Sequence, residues 1–377
     1  MSRSKKIEPS ENQSAFKHLY GREYLKRTAT AISAHYSEFD RKRWLGLMNQ
    51  LAPLEMKPRV RFLRDELRTL LPKDYEVALE ILLRAAGGKV IRDFDLWPIT
   101  EFIQVFGIDR PDLSLEALKQ ITVLFTSEWA IRPFIKSHPR KAMKFLLKCA
   151  HDQNPHVRRW ASEGTRPRLP WGERLQEFIA DPTPSLEILE VLKFDPELYV
   201  RKSVANHLND IAKDHPDFVI TTLKEWLKKA KAEDSAKMDW IVRRSLRTLI
   251  KDGHPKALAI IGVSTKVAIT VNDFKIRQKK IKLGERLDFQ FEIKSLAKTS
   301  QKLVIDYRVH FVKANKSTAP KVFKLKTLLL PAQGKILIQK SHPFKRITTR
   351  EYYPGLHHLE IQINGRVISK GQWNLEL

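Results

Sequence analysis

Asn154-Pro155-His156-Val157-Arg158-Arg159-Trp160-Ala161 is echoed by Val200-Arg201-Lys202-Ser203-Val204-Ala205, and again by Val242-Arg243-Arg244-Ser245-Leu246. The leading valines lie 43 and then 42 residues apart, inside the roughly 40–47-residue period of HEAT-type helical repeats. In such a repeat the valine packs between layers, and the basic pair after it lies at the edge of the second helix. A helix pair cannot bury its apolar face alone, so pairs stack into a curved solenoid with one concave surface. That surface is expected to carry Arg158, Arg159, Arg201, Lys202, Arg243 and Arg244. A single one of these cations is as well explained by a solvated helix face; six in register suit a row of phosphates.

Outward from the repeats, residues 1–262 read as helices throughout. Apolar residues recur at three- and four-residue steps, as in Leu63, Leu67, Leu70 and Leu71, with breaks at Leu71-Pro72-Lys73-Asp74 and Ala86-Gly87-Gly88. After Ile261-Gly262 the period becomes two: Leu287, Phe289, Phe291 and Ile293 alternate with polar residues, as do Leu303, Ile305, Tyr307, Val309 and Phe311. Further strand-like segments are Val267–Val271, Val322–Leu328, Lys335–Gln339, Leu359–Ile363 and Val367–Trp373, and Asn364-Gly365 between the last two signals a tight hairpin. About seven short strands in residues 263–377 suggest an immunoglobulin-like β-sandwich, with Tyr353 placed for a tyrosine corner. The expected architecture is therefore an α-solenoid of HEAT-like repeats over 1–262, followed by an immunoglobulin-like β-sandwich over 263–377.

The charge is the least ordinary feature. Lys and Arg number 69 against 43 Asp and Glu, a formal net charge of +26. From residue 263 onward the imbalance is steeper, 23 against 8, so the sandwich reads as a second clamp on the same polyanion. A charge this large, spread along the chain, points to nucleic acid ahead of an anionic membrane. One cysteine, Cys149, excludes an intramolecular disulfide framework and a Cys-rich zinc site, and it stands where a small buried hydrophobe would. No apolar run approaches the length of a membrane span and the N-terminus lacks a signal core, so a cytoplasmic protein is expected. No His/Cys ligand spacing or Gly-rich phosphate loop occurs, so neither metal nor cofactor is expected; His357-His358 would face opposite ways on a strand.

The densest chemistry runs from Asn154 to Gly172. A helix with Arg158, Arg159, Trp160 and Glu163 breaks at Gly164 into a loop holding Arg166, Arg168 and Trp171, stiffened by Pro167 and Pro170. Arginines beside a carboxylate and an indole suit a site that grips phosphates and places an anion beside a cationic substrate. Taken alone, this is equally a structural loop whose Glu163 pairs with an arginine.

This stretch resembles the AlkC branch of the AlkD-like DNA alkylation repair proteins, which are HEAT-like-repeat glycosylases. Two other segments carry the resemblance with it: Phe125-Thr126-Ser127-Glu128-Trp129-Ala130-Ile131-Arg132-Pro133-Phe134 and Ala205-Asn206-His207-Leu208-Asn209-Asp210. A repeat domain followed by an immunoglobulin-like domain also matches a subset of that branch. The resemblance implies that Glu128, Glu163 and Asp210 are carboxylates gathered on the concave face. It implies an aromatic beside the lesion at Trp171, and basic residues near the DNA backbone at Arg159 and Arg166. It further implies action on an open surface, without drawing the base into a deep pocket, on cationic lesions such as 3-methyladenine and 3-methylcytosine in double-stranded DNA. A monomer needing no cofactor is expected.

The chemistry agrees with that implication. Loss of a cationic base develops positive charge on the deoxyribose, which carboxylates stabilise while one of them orients water. The alternative is a non-catalytic HEAT-repeat protein that binds bent or branched DNA; it gains nothing from three acids on its binding face. A protein–protein scaffold would not need such a charge, and no RRM-like aromatic signature or GXXG clamp supports RNA binding.

Overall fold

The computed structural model describes residues 16–347 and 350–377. Helices run from Arg22–Ser33 to Pro255–Ile260, and strands begin at Ile269. Pro111, Pro139, Pro155, Pro216 and Pro255 each open a helix, at the one position where a missing N–H leaves no bond unmade. The chain divides into two compact units after Asp210, so the last helices group with the sheets.

The three echoed valines stand in the second helices of successive pairs: Pro139–Cys149 with Pro155–Gly164, Thr183–Leu192 with Leu198–Ile211, and Pro216–Lys229 with Ser235–Ser245. Val157, Val200 and Val242 are all buried, as the repeat requires. The basic residue after the valine has a different task from the one its register suggests. Arg158 donates through Nη1 to the carbonyls of Asp152 (3.0 Å) and Gln153 (2.7 Å) in the turn before its helix. Arg201 repeats the pattern on Asp195 (2.5 Å) and Pro196 (2.8 Å). These arginines satisfy turn carbonyls that the helix ladder cannot reach.

In the second unit the strands are β1 (Ile269–Ile276), β2 (Lys280–Lys282), β3 (Arg286–Ser295), β4 (Gln301–Val312), β5 (Thr318–Leu330), β6 (Lys335–Pro343), β7 (Gly355–Ile363) and β8 (Arg366–Glu376). They form two sheets, ordered β1-β3-β6 and β2-β8-β7-β4-β5. The alternating apolar residues of β3 and β4 share one core with Phe344, Ile361 and Trp373. The sequence reading missed β2, whose three residues are too few to show alternation; it pairs parallel to β8. Strands β4 and β7 are buried on both faces: Asp306 and Gln362 are covered as well as the core residues. The cover comes from the last helical turns, where Gln362 donates to the Lys251 carbonyl (2.8 Å) and Lys302 to that of Ile261 (2.7 Å).

Asn364 and Gly365 turn the β7–β8 hairpin with φ of 46° and 81°, the left-handed pair such a turn needs. Gly365 also lies against Gly253, where an added Cβ would come within 2.5 Å of the Gly253 Cα. The tyrosine corner is not formed. Tyr353 donates its hydroxyl to the Glu351 carboxylate (2.7 Å), two residues away, where a corner requires a backbone acceptor further upstream.

Candidate active site

Helix Pro155–Gly164 starts under an Asn154 cap, whose side chain accepts from the His156 N–H (2.8 Å). One turn separates Arg159 from Glu163, so both fall on one face. Gly164 sits against Ile131, with room for no side chain: an added Cβ would meet Ile131 at 2.6 Å. That contact brings the segment around Glu128 close to Glu163.

The three acids meet through two arginines. Arg159 pairs with Glu128 and lies 3.5 Å from Glu163 Oε1. Arg166 reaches the same Glu163 oxygen with Nη1 at 2.5 Å and Asp210 Oδ2 with Nε at 2.8 Å and Nη2 at 2.7 Å. The result is an alternating row, Glu128–Arg159–Glu163–Arg166–Asp210, in which three carboxylates are held by two guanidiniums. Glu163 is 6% exposed and Asp210 2%. Thr126 and Ser203 complete the row, donating to Glu128 (2.7 Å) and to Glu163 Oε2 (2.6 Å).

Burial works against the charge of Glu163, but Arg159 and Arg166 outweigh it and hold the carboxyl below the usual carboxylate range. Burial likewise opposes the charge on both arginines, and the neighbouring acids more than offset it. Behind the row, His207 is buried and its Nδ1 lies 3.0 Å from the Ser162 carbonyl. Burial, with Arg166 adding to it, pushes that imidazole down to about 3, so it is neutral at physiological pH.

Trp171 is 50% exposed and holds a left-handed backbone, φ 64°, which a bulky residue adopts only under constraint. The constraint is visible: Lys57 donates to the Trp171 carbonyl (2.6 Å), and the Trp129 indole donates to that of Pro170 (3.1 Å). Arg132 straps the loop from beneath, donating to the carbonyls of Gly164 (2.9 Å), Arg166 (2.8 Å) and Glu173 (2.6 Å). The Trp171 ring lies nearly parallel to Trp97 at 6.1 Å, and Trp129 stacks on Trp97 at 4.6 Å with its plane inclined by 28°, making an aromatic platform. A cleft of about 290 Å³ lies beside it, lined by Lys57, Arg61, Glu101 and Arg132 among others. At the Glu128 end, a hollow of about 210 Å³ is lined by Phe125, Thr126, His156, Arg159 and Tyr199.

The structure thus brings Glu128, Glu163, Asp210, Arg159 and Arg166 together, with Trp171 on the following loop. Arg168 is partly buried in that loop. Arg158 pairs with Asp195 (2.5 and 3.1 Å) in addition to its turn carbonyls, and Arg201 is similarly engaged, so neither joins the row. Lys202 is exposed. Arg243 and Arg244 belong to the other unit, the first exposed and the second over the Trp240 ring at 5.5 Å. Residues the sequence did not single out are Lys57, Trp97, Ser203 and the strap Arg132. Arg132 stands within a quoted motif, but nothing in its spacing reveals which carbonyls it would meet. Among the described residues no cluster of His, Cys, Asp and Glu has the makings of a metal site, and no helix is long and apolar enough to cross a membrane.

Comparison with known proteins places this arrangement. Residues 270–377 match the family described as "Uncharacterised protein YhaZ, C-terminal Ig-like domain". The uncharacterized protein YhaZ of Bacillus subtilis is 36% identical over 353 residues, 93% of this chain and 96% of the relative. Among solved structures, the Pseudomonas fluorescens alkylpurine DNA glycosylase AlkC, bound to DNA containing an abasic site analog, superposes with a TM-score of 0.90 at 36% identity. That superposition covers 96% of this chain and all of AlkC (100%). With the fold and near full-length similarity in agreement, this chain belongs to the AlkC/YhaZ family, which joins a HEAT-like helical region to a C-terminal immunoglobulin-like domain.

Proposed function

We propose that this protein is a DNA glycosylase that hydrolyses the N-glycosidic bond of cationic N-alkylated bases, with 3-methyladenine and 3-methylcytosine as candidate lesions. The observation that carries the reading is the buried row of three carboxylates held in place by two arginines. The similarity to AlkC, itself an alkylpurine DNA glycosylase, supports it.

The chemistry follows from charge. The C1′–N bond breaks with both electrons leaving on the base, which thereby loses its positive charge. The sugar takes up that charge as an oxocarbenium-like species. Carboxylates already ionised and already oriented stabilise it with little reorganisation, in surroundings where water does not screen them. Water then adds to C1′ and gives a proton to a carboxylate, so Glu163, Glu128 and Asp210 share stabilisation and water activation. The substrate brings its own activation, so no metal or organic cofactor has a part.

In this reading Arg168, Lys202, Arg243 and Arg244 contact the DNA backbone, Arg159 stays within the carboxylate row, and Trp171 lies against the distorted duplex. Residues 1–262 form the glycosylase domain and 263–377 a basic clamp; the protein acts as a monomer on double-stranded DNA in the cytoplasm. The test is release of free base from duplexes holding 3-methyladenine or 3-methylcytosine. Glu163→Gln and Glu128→Gln should each lower the rate by about 10²–10³-fold while binding to undamaged duplex persists. Tight binding with no release from any alkylated duplex would replace the enzyme with a non-catalytic binder of bent DNA.

A further inference from the structure

A cationic side chain in a DNA-facing loop reads first as a phosphate contact, and that is the role the sequence suggests for Arg166. Its fork is already consumed. Nη1 lies on Glu163, and Nε and Nη2 lie on Asp210, with the residue 7% exposed. Its own carbonyl is fixed by Arg132. The second oxygen of Glu163 is taken by Ser203, whose hydroxyl also stands 2.9 Å from Ser162 Oγ.

Resting on the glycosylase reading, we propose that Arg166 is a positioning residue: its one fork sets the separation and orientation of Glu163 and Asp210, with Ser203 fixing the remaining Glu163 oxygen. Two buried carboxylates brought together without a cation between them would drive one another toward the protonated form. A single guanidinium shared by both removes that conflict and fixes two acids in one geometry, because its donors form a rigid fork. Lysine offers a point charge and cannot do the same.

The groups around Glu163 and Arg166 make the test readable. The helix of Glu163 presents Arg159; the segment around helix Ile131–Ser137 presents Glu128 and Arg132; helix Leu198–Ile211 presents Tyr199, Ser203, His207 and Asp210. His207 is neutral and the arginines remain charged across the working range, so an acid limb in the rate reports carboxylates.

The experiment measures single-turnover base release from a 3-methyladenine duplex between pH 5 and 8, and binding to a duplex with a tetrahydrofuran abasic analogue across a salt series. Arg166→Gln is expected to slow release about 10²-fold and to shift the acid limb to higher pH, because Glu163 loses one of the two cations that favour its ionised form. The slope of log Kd against log salt should stay unchanged. Arg166→Lys should return the limb toward its original place without restoring the rate. A phosphate contact predicts the reverse: a slope smaller by about one with the limb unmoved, and that result overturns the proposal. If the wild-type protein releases no base, the glycosylase reading fails separately, and the salt slope still decides the role of Arg166. If Arg166→Gln does not fold, Ser203→Ala decides, since it removes one neutral donor and leaves every charge. A several-fold slower release with the limb moved up upholds the proposal, and wild-type rates with an unmoved limb refute it.

Discussion

Replacing Arg132 by methionine removes the strap under the Gly164–Glu173 loop while keeping an unbranched apolar stem in its place. Arg132 is 1% exposed and donates to three carbonyls of that loop. Bonds from a charged donor contribute about 1.5–3 kcal/mol each, so losing three costs about 6 kcal/mol. Against this stands the burial of the cation. Burial lowers the guanidinium to about 10, and its Nη2 has no protein partner. A depression of two to three pH units corresponds to about 3 kcal/mol that the methionine regains. The net expectation is a loss of about 3 kcal/mol, seen as a lower urea midpoint with an unchanged slope. Base release should fall by about tenfold or more at temperatures where the variant is folded, because Arg166 and Trp171 both depend on the strapped loop. Protease cleavage at residues 164–173, absent in the wild type, would locate the damage. A variant with the wild-type midpoint and an uncut loop would show that packing alone holds this segment, and the reasoning would be refuted.

Arg158 and Lys202 offer a contrast within one repeat register. Arg158→Ala should destabilise the fold by about 3 kcal/mol, as expected for a buried acid losing its partner, with the salt slope of DNA binding unaltered; Lys202→Ala should do the opposite, lowering the slope by about one at constant stability. In the second unit, burial raises the Asp306 carboxyl to about 6, with Lys324, Lys251 and Arg308 only partly opposing it. The folded form therefore binds the proton more tightly than the unfolded chain, so this group favours folding as pH falls from 7 toward 4 and disfavours it above 6. Asp306→Asn should raise the thermal midpoint clearly at pH 8 and much less at pH 4.5, a difference corresponding to about 2 kcal/mol; equal effects at the two pH values would refute the assignment.

Much of this protein was legible in its sequence, because the features concerned are local or periodic. The 42- and 43-residue echoes announce repeated helix pairs, alternation announces strands, and Asn364-Gly365 announces its turn, since each depends on neighbours along the chain. The three acids were found through whole motifs, which preserve the residue types the chemistry needs. What each cation does was not legible. Arg158 and Arg159 are adjacent and chemically identical, yet a rotation of about 100° along the helix sends one to turn carbonyls and Asp195 and the other into the carboxylate row. Arg166 reads as a phosphate contact until Asp210, 44 residues away, is seen closing on its fork. The same holds for Arg132, whose acceptors are backbone carbonyls and leave no trace in residue identity. Periodicity and motif fix which elements form and which acids are present; only the packing of distant segments decides which charge meets which, because a salt bridge depends on distances that sequence spacing does not encode.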